Sequence, residues 1–193
     1  MPDPDSASRR QRRLFALRSA LLSAALWIAA SGLLHRWHPW QSEQIHAADL
    51  RGGMRLLLAL SLGWPAAFGL GGGSLFDHAA GWSAPLGMQA AVLRAALSAL
   101  SPFVALRGAA PLLRIHADLH GLRAWQLLGL AALGALCWDV PDMMLLAHAG
   151  VEAAGAAVLA RRLLVNLGAT LALIYAGGYA WYFYVRRLAR DAA

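Results

Sequence analysis

The sequence predicts an all-α membrane protein, a polytopic helix bundle of four to six spans with one broken or re-entrant segment at residues 56–76. Two observations lead to this fold class. Charged residues make up only 14% of the 193 residues, against roughly 25% in a soluble domain. Several apolar runs also reach the ~20 residues that a helix needs to cross the hydrocarbon core. We therefore expect one transmembrane domain over residues 14–185, between a basic tail at 1–13 and a short basic tail at 186–193.

The charge balance is strongly basic, because the chain has 17 arginines and no lysine against 10 acidic residues. Such an excess can indicate nucleic acid as a partner. Five of the arginines, however, lie before or at the start of the first apolar run, where the rule that cytoplasmic loops are positive explains them. We expect the lipid bilayer as partner and no nucleic acid. The single cysteine, Cys137, excludes an internal disulfide and a multi-cysteine zinc motif, and no metal or other cofactor is predicted.

The first predicted span covers residues 14–34 and is rich in alanine and leucine. It is longer than the apolar region of a signal peptide and is followed by bulky rather than small residues, so we expect it to be retained. Trp37 and Trp40 then follow at the edge of the span. Tryptophan at this position is typical of an interfacial anchor.

The next apolar segment, residues 56–76, is interrupted in two places. Gly63, Trp64 and Pro65 stand in its middle, and glycines recur from Gly69 to Gly73. Proline removes a backbone donor and kinks a helix. The segment is therefore either a kinked span or a re-entrant pair of half-helices that lines protein or water.

The remaining apolar stretches predict spans at residues 86–106, 124–140 and 163–185. The last of these ends in a run of tyrosines and a tryptophan before two arginines, which is an aromatic belt beside a basic anchor. Residues 143–160 are weakly amphipathic, and we interpret them as an interfacial helix or a short span.

The distribution of arginines favours one topology. With the N-terminus in the cytoplasm and residues 56–76 re-entrant, eleven arginines lie inside and five outside. A full crossing by residues 56–76 changes the split to seven inside and nine outside, and a sixth span gives eight on each side. The positive-inside rule favours the first arrangement. It predicts four full spans in a bacterial inner membrane and places Asp139 and Asp142 outside.

Arg94 is the most informative single residue, because it stands near the middle of a predicted span. An ionisable side chain at that depth costs about 2.5–3.5 kcal/mol on insertion scales and usually faces a cavity or a partner. Candidate partners are Asp77 and Asp139. A ligand contact inside the bundle, a structural ion pair and a side chain that reaches the interface are all compatible with the pattern.

Histidines form two weaker patterns. His116 and His120 are four residues apart, as metal ligation on one helix face would require, but no third ligand accompanies them. A polar, headgroup-facing linker is the better interpretation. The predicted external segment contains a second group, which could sense pH or belong to an ordinary polar loop: His35, His38 and His46.

The middle of the chain resembles the membrane-associated sensor domains (the first MASE type) of bacterial histidine kinases and cyclic-di-GMP enzymes. Trp64 to Gly69 is similar to the family's Trp-Pro-x-x-Gly signature, with Phe68 as one extra residue before the glycine. The resemblance as a whole covers about residues 50–140. The family usually has about eight spans, more than the four to six predicted here, and we expect no kinase or cyclase domain after Arg190. The resemblance implies a sensor whose output comes from a partner.

The sequence favours a non-catalytic sensory or interaction module of the inner membrane, in contact with another membrane or signalling protein or with copies of itself. A small ligand inside the bundle is part of this expectation. The alternative is a small solute transporter, or its substrate-binding component, that uses Arg94 near the midplane. A membrane enzyme ranks last, because no motif completes a mechanism. The predicted ligand-binding residues are Arg94, Asp77, His78, Asp139 and Trp64.

Overall fold

The computed structural model describes residues 4–37, 50–82, 86–114, 123–150 and 155–191. Over these residues the chain forms six helices and no strand, which confirms the all-α prediction. The helices are α1 (Pro4–Trp37), α2 (Leu50–Leu62), α3 (Ala66–Ala79), α4 (Met88–Leu112), α5 (Ala124–His148) and α6 (Ala156–Asp191).

Four of the described helices contain a segment that is long and apolar enough to cross a membrane: Gln11–Arg36, Met88–Leu112, Ala124–His148 and Ala156–Ala176. Each spans 21 to 26 residues, and about 20 residues suffice. The chain is therefore a multi-pass membrane protein built as a helical bundle.

The two remaining helices, α2 and α3, form a hairpin. Their ends lie together, because Arg51 in the first turn of α2 is 3.9 Å from Asp77 near the end of α3. Between them, Gly63 takes a positive φ of 66°, which glycine adopts without a steric penalty. Trp64 packs edge-on against Phe103 of α4 at 4.8 Å. Because the hairpin returns to the end at which it starts, residues 56–76 have the geometry of a re-entrant pair of half-helices.

The helices pack around this hairpin. The α3 helix lies between α1 and α4, α5 lies between α4 and α6, and α2 packs on α6. Close contacts depend on glycine: a Cβ on Gly53 would lie 2.7 Å from Thr170 Cα, and a Cβ on Gly73 would lie 2.5 Å from Trp27 Cδ1. We call the end where α1, α3 and α5 finish the polar end, and the opposite one the basic end.

Two predicted helix ends are wrong. The fourth span does not stop at Val140, because α5 continues through Pro141 to His148. The α4 helix likewise runs through Pro102 and Pro111 to Leu112. Proline removes only one backbone donor, and neighbouring helices allow it within membrane helices.

Residues 143–160 form neither a separate interfacial helix nor a short span over their described part. They divide between the end of α5 and the start of α6, which begins at Ala156. The histidine pair His116 and His120 lies outside the described residues, as do His38 and His46.

Candidate functional site, a buried polar layer

An arginine–aspartate cluster joins α4, α5 and α6 near the polar end. Arg94 donates to both oxygens of Asp142, from Nε at 2.7 Å and from Nη2 at 3.3 Å. Arg162 Nη2 donates to Asp142 Oδ2 at 2.5 Å, and its Nε lies 3.8 Å from Asp139 Oδ1. Asn166 Nδ2 donates to the same Asp139 oxygen at 2.5 Å. These five residues combine two cations, two anions and one amide.

Helix periodicity places the members of the cluster. Asp139 and Asp142 are three residues apart on α5, and Arg162 and Asn166 are four apart on α6, so each pair shares one helix face. Both aspartates are fully buried, with an exposed fraction of 0%. The bidentate contact from Arg94 is the geometry that binds a carboxylate most strongly.

A third arginine, Arg55 of α2, is buried between two indole rings. Its Cζ is 3.5 Å from the ring centroid of Trp138 and 4.8 Å from that of Trp27, within the range of a cation–π contact. Its Nε donates to Ser98 Oγ at 3.1 Å. Trp138 also lies 5.9 Å from Arg94 Cζ, so one ring links both guanidinium groups.

Asp77 forms a further group of polar contacts on the side of α1 and α3. Its Oδ2 accepts hydrogen bonds from Trp27 Nε1 at 2.8 Å and from Ser31 Oγ at 2.9 Å, and Arg51 is its ion-pair partner. Trp27 therefore donates to Asp77 with its nitrogen while its ring lies against Arg55.

Together these contacts form one continuous structure, which we call the polar layer. It runs from Asp77 through Trp27, Arg55, Trp138 and Arg94 to the arginine–aspartate cluster and so includes residues of all six helices. At 1.5 Å of rise per residue, Arg94, Asp142 and Arg162 each lie about 9 Å inside the ends of their helices. Ion pairing inside the bundle is the arrangement expected of charged side chains at such depth.

A small cavity lies beside Arg55. It is lined by Gly52, Arg55, Leu56, Ser101, Pro102, Gly134 and Trp138. The centre of a water molecule has about 10 Å³ available in it, and one water needs roughly 10–15 Å³ by this measure. The free volume is therefore about that of one bound water.

The predicted site residues lie in three different places. Arg94 contacts Asp142, and Asp139 belongs to the same cluster, but Asp77 lies at the other end of the layer. His78, half-buried, follows Asp77 at the end of α3. Trp64 is 56% exposed at the tip of the hairpin, far along α4 from Arg94. Arg94, Asp77, His78, Asp139 and Trp64 therefore do not line one common cavity.

Sequence reasoning missed Asp142, Arg162 and Arg55 as parts of the layer. The predicted end of the fourth span at Val140 left Asp142 beyond the helix, whereas α5 continues past Asp139 and Asp142 and buries both. Their partners explain this: Arg94 and Arg162 compensate charges that would otherwise end the span. The i, i+3 spacing of the aspartates beside Trp138 was the one signal in the sequence.

No family model, curated protein or solved structure matches this chain. Among the described residues, no group of three or more histidine, cysteine, aspartate or glutamate side chains has the geometry to hold a metal ion.

Proposed function

We propose that this chain is a non-catalytic sensory or interaction module of the bacterial inner membrane, with its N-terminus in the cytoplasm. A change in packing at the polar end, caused by a small ligand or a membrane partner, passes through the polar layer to the rest of the bundle. The observation that carries the proposal is the continuity of that layer across all six helices.

A buried charged network suits transmission because its members have few alternative partners. When one ion pair rearranges, each neighbour must rearrange too or leave a buried charge without compensation. The layer also holds buried polar atoms with no hydrogen bond among the described residues, namely Asp77 Oδ1, Trp138 Nε1 and Asn166 Oδ1. Such atoms are costly when buried, so a rearrangement that gives them partners has a favourable term.

The resemblance of Trp64 to Gly69 to the sensor-domain signature supports the same role. A sensor of this kind passes its signal to another membrane or signalling protein or to a second copy of itself. The proposed orientation is supported by exposed arginines at the basic end: Arg12, Arg13, Arg18, Arg107, Arg114 and Arg123. The positive-inside rule assigns that end to the cytoplasm.

Hydrogen–deuterium exchange in nanodiscs tests the proposed transmission. Asp142→Asn keeps the shape of the side chain and removes its charge, so we expect faster amide exchange in α4, α5 and α6 and also in α1 and α3. Met144→Ala, a change at a 65% exposed position of the same helix, is the matched control. An increase confined to α4, α5 and α6 would contradict the proposal.

Transport of a small solute is the second candidate, and the hairpin of α2 and α3 is the observation that favours it. Broken helices beside intramembrane charges form the substrate sites of several transporter folds. The water-sized cavity at Arg55 weighs against it. Reconstituted vesicles distinguish the two: a transporter accumulates the solute that stabilises it, whereas a sensor binds that solute without uptake.

A further inference from the structure

The arginines of the arginine–aspartate cluster are partly exposed, whereas the aspartate between them is not. The side chains of Arg94 and Arg162 are each 15% exposed, whereas that of Asp142 is 0% exposed. The two arginines are therefore nearer to the surface of the bundle than the carboxylate that they share.

The geometry at Asp142 is that of a carboxylate binding site. Arg94 offers Nε and Nη2 as a fork to the two oxygens, and Arg162 adds a third donor from another helix. A planar fork matches a carboxylate in two parallel hydrogen bonds. The third donor comes from α6 rather than α4, so the carboxylate of α5 joins three helices.

We propose that Arg94 and Arg162 form a binding site for a small carboxylate ion, and that Asp142 is an exchangeable, built-in occupant of this site. The inference rests on the proposed sensory function and names the chemical class of its ligand. An external carboxylate takes the place of Asp142 between the two arginines. Asp142 then leaves the pair, and the layer rearranges around Trp138, whose ring lies beside Arg94.

A tethered occupant lowers the apparent affinity for the free ligand. A group held on the same molecule competes at an effective concentration of millimolar order or above. The site therefore responds to abundant carboxylates, and removal of Asp142 must strengthen their binding. A higher affinity for a free carboxylate in an Asp142 variant than in the wild type therefore distinguishes an occupied binding site from an ordinary ion pair.

The first arm of the test is chemical rescue in nanodiscs of neutral phosphatidylcholine, so that the lipid supplies no carboxylate. Asp142→Ala is expected to melt below the wild type, and formate or acetate is expected to restore the melting temperature in a saturable way. Chloride at equal ionic strength controls for screening, and phosphate tests the anion class. The double variant Arg94→Ala, Asp142→Ala must lose the rescue. If Asp142→Ala does not fold, Asp142→Ser takes its place.

The second arm uses the wild-type protein and its tryptophan emission. Acetate is expected to change the emission saturably, with an apparent affinity about tenfold or more weaker than in the Asp142 variant. The change must disappear in Trp138→Phe and in Arg94→Ala. Asp139→Ala is the matched control for rescue, because Asp139 does not fill the fork of Arg94 but lies 3.8 Å from Arg162 Nε and accepts from Asn166, and a weaker rescue is expected there.

Three results would overturn the proposal: no rescue of a folded Asp142 variant by formate or acetate, stronger rescue by phosphate than by carboxylates, or no saturable response of the wild type. Each leaves the exchange experiment on Asp142→Asn unaffected, because that experiment uses no ligand. Failure of the ligand class and failure of the proposed sensory function are therefore distinguishable.

Discussion

The two ends of the bundle use the same residue type in opposite ways. At the polar end, Arg51, Arg55, Arg94 and Arg162 are buried or half-buried and lie against carboxylates, a hydroxyl or indole rings. At the basic end, Arg107, Arg114 and Arg123 are exposed, and the structure gives them no ion pair within the described residues.

The difference shows how surroundings set the role of an arginine. A buried guanidinium must have a partner, because an uncompensated charge costs several kcal/mol. Each arginine of the polar layer therefore fixes the positions of other helices. An exposed arginine has no such requirement and acts through charge on the orientation of the chain. Substitutions at the two ends should accordingly change different observables.

The largest effect is expected at Asp142. Asp142→Ala leaves two half-buried guanidinium groups without their shared acceptor, so the free energy of unfolding should fall by about 3 kcal/mol or more. Chemical denaturation in nanodiscs measures this change. Met144 faces outward on the same helix, so Met144→Ala should change the free energy of unfolding far less. An equal loss in both variants would show that the polar layer contributes no more to stability than an exposed position.

The next effect concerns the contact between α2 and α6. A Cβ on Gly53 would lie 2.7 Å from the backbone of Thr170, so Gly53→Ala should lower the free energy of unfolding by roughly 1–3 kcal/mol. A Cβ on Gly72 would meet nothing within 4 Å, and Gly72→Ala should be neutral or slightly stabilising. Thermal melts of both variants check the contrast. Equal stability would mean that the hairpin does not pack closely on α6.

A loss of comparable size is expected from Trp27→Phe. It keeps an aromatic ring near Arg55 but removes the Nε1 donor to Asp77. The lost hydrogen bond to a buried carboxylate should cost about 1.5–3 kcal/mol, partly offset by Ser31. Trp64→Phe, at an exposed position of the hairpin tip, is the matched control. A larger loss of unfolding free energy in the Trp64 variant would show that the tryptophan outside the polar layer contributes more to stability, which contradicts the prediction.

The smallest effect on stability is expected at the basic end. Replacing Arg107, Arg114 and Arg123 by glutamine should change the free energy of unfolding by no more than about 0.5 kcal/mol per site. The same change should increase the fraction of inverted molecules, because those charges favour the cytoplasm. Reporter domains that are active on only one side of the membrane, fused after residue 193, measure that fraction. An unchanged fraction of inverted molecules would show that other charges determine the orientation.

The architecture was largely predictable because it follows from apolar length. The broken segment at residues 56–76 was recognisable from Gly63, Trp64 and Pro65. The predicted range of four to six spans follows from the number of runs of about 20 apolar residues. The ends of α4 and α5 were not predictable in the same way. Proline and aspartate usually mark the end of a span, and only the tertiary partners of Asp139 and Asp142 reverse that rule.

The candidate site was predictable in part. Arg94 was identified because a lone charge inside an apolar run needs compensation, but which carboxylate compensates it depends on how α4 faces α5. Asp142 and Arg162 lie just outside the predicted spans at residues 124–140 and 163–185, whereas α5 and α6 include them. The position of Arg55 between two indoles joins three helices, and no local pattern in the sequence encodes such a contact.

The central claim is that the polar layer acts as one unit across the bundle, and a double-mutant cycle between its two ends tests it most directly. Trp27→Phe and Asp142→Asn alter residues on α1 and α5 that share no hydrogen bond. The free energy of unfolding of both single variants and the double variant gives their coupling. If the polar layer acts as one unit, the two substitutions should be coupled by about 0.5 kcal/mol or more, as is found for residues in one network. Additive effects would contradict it and leave two independent clusters.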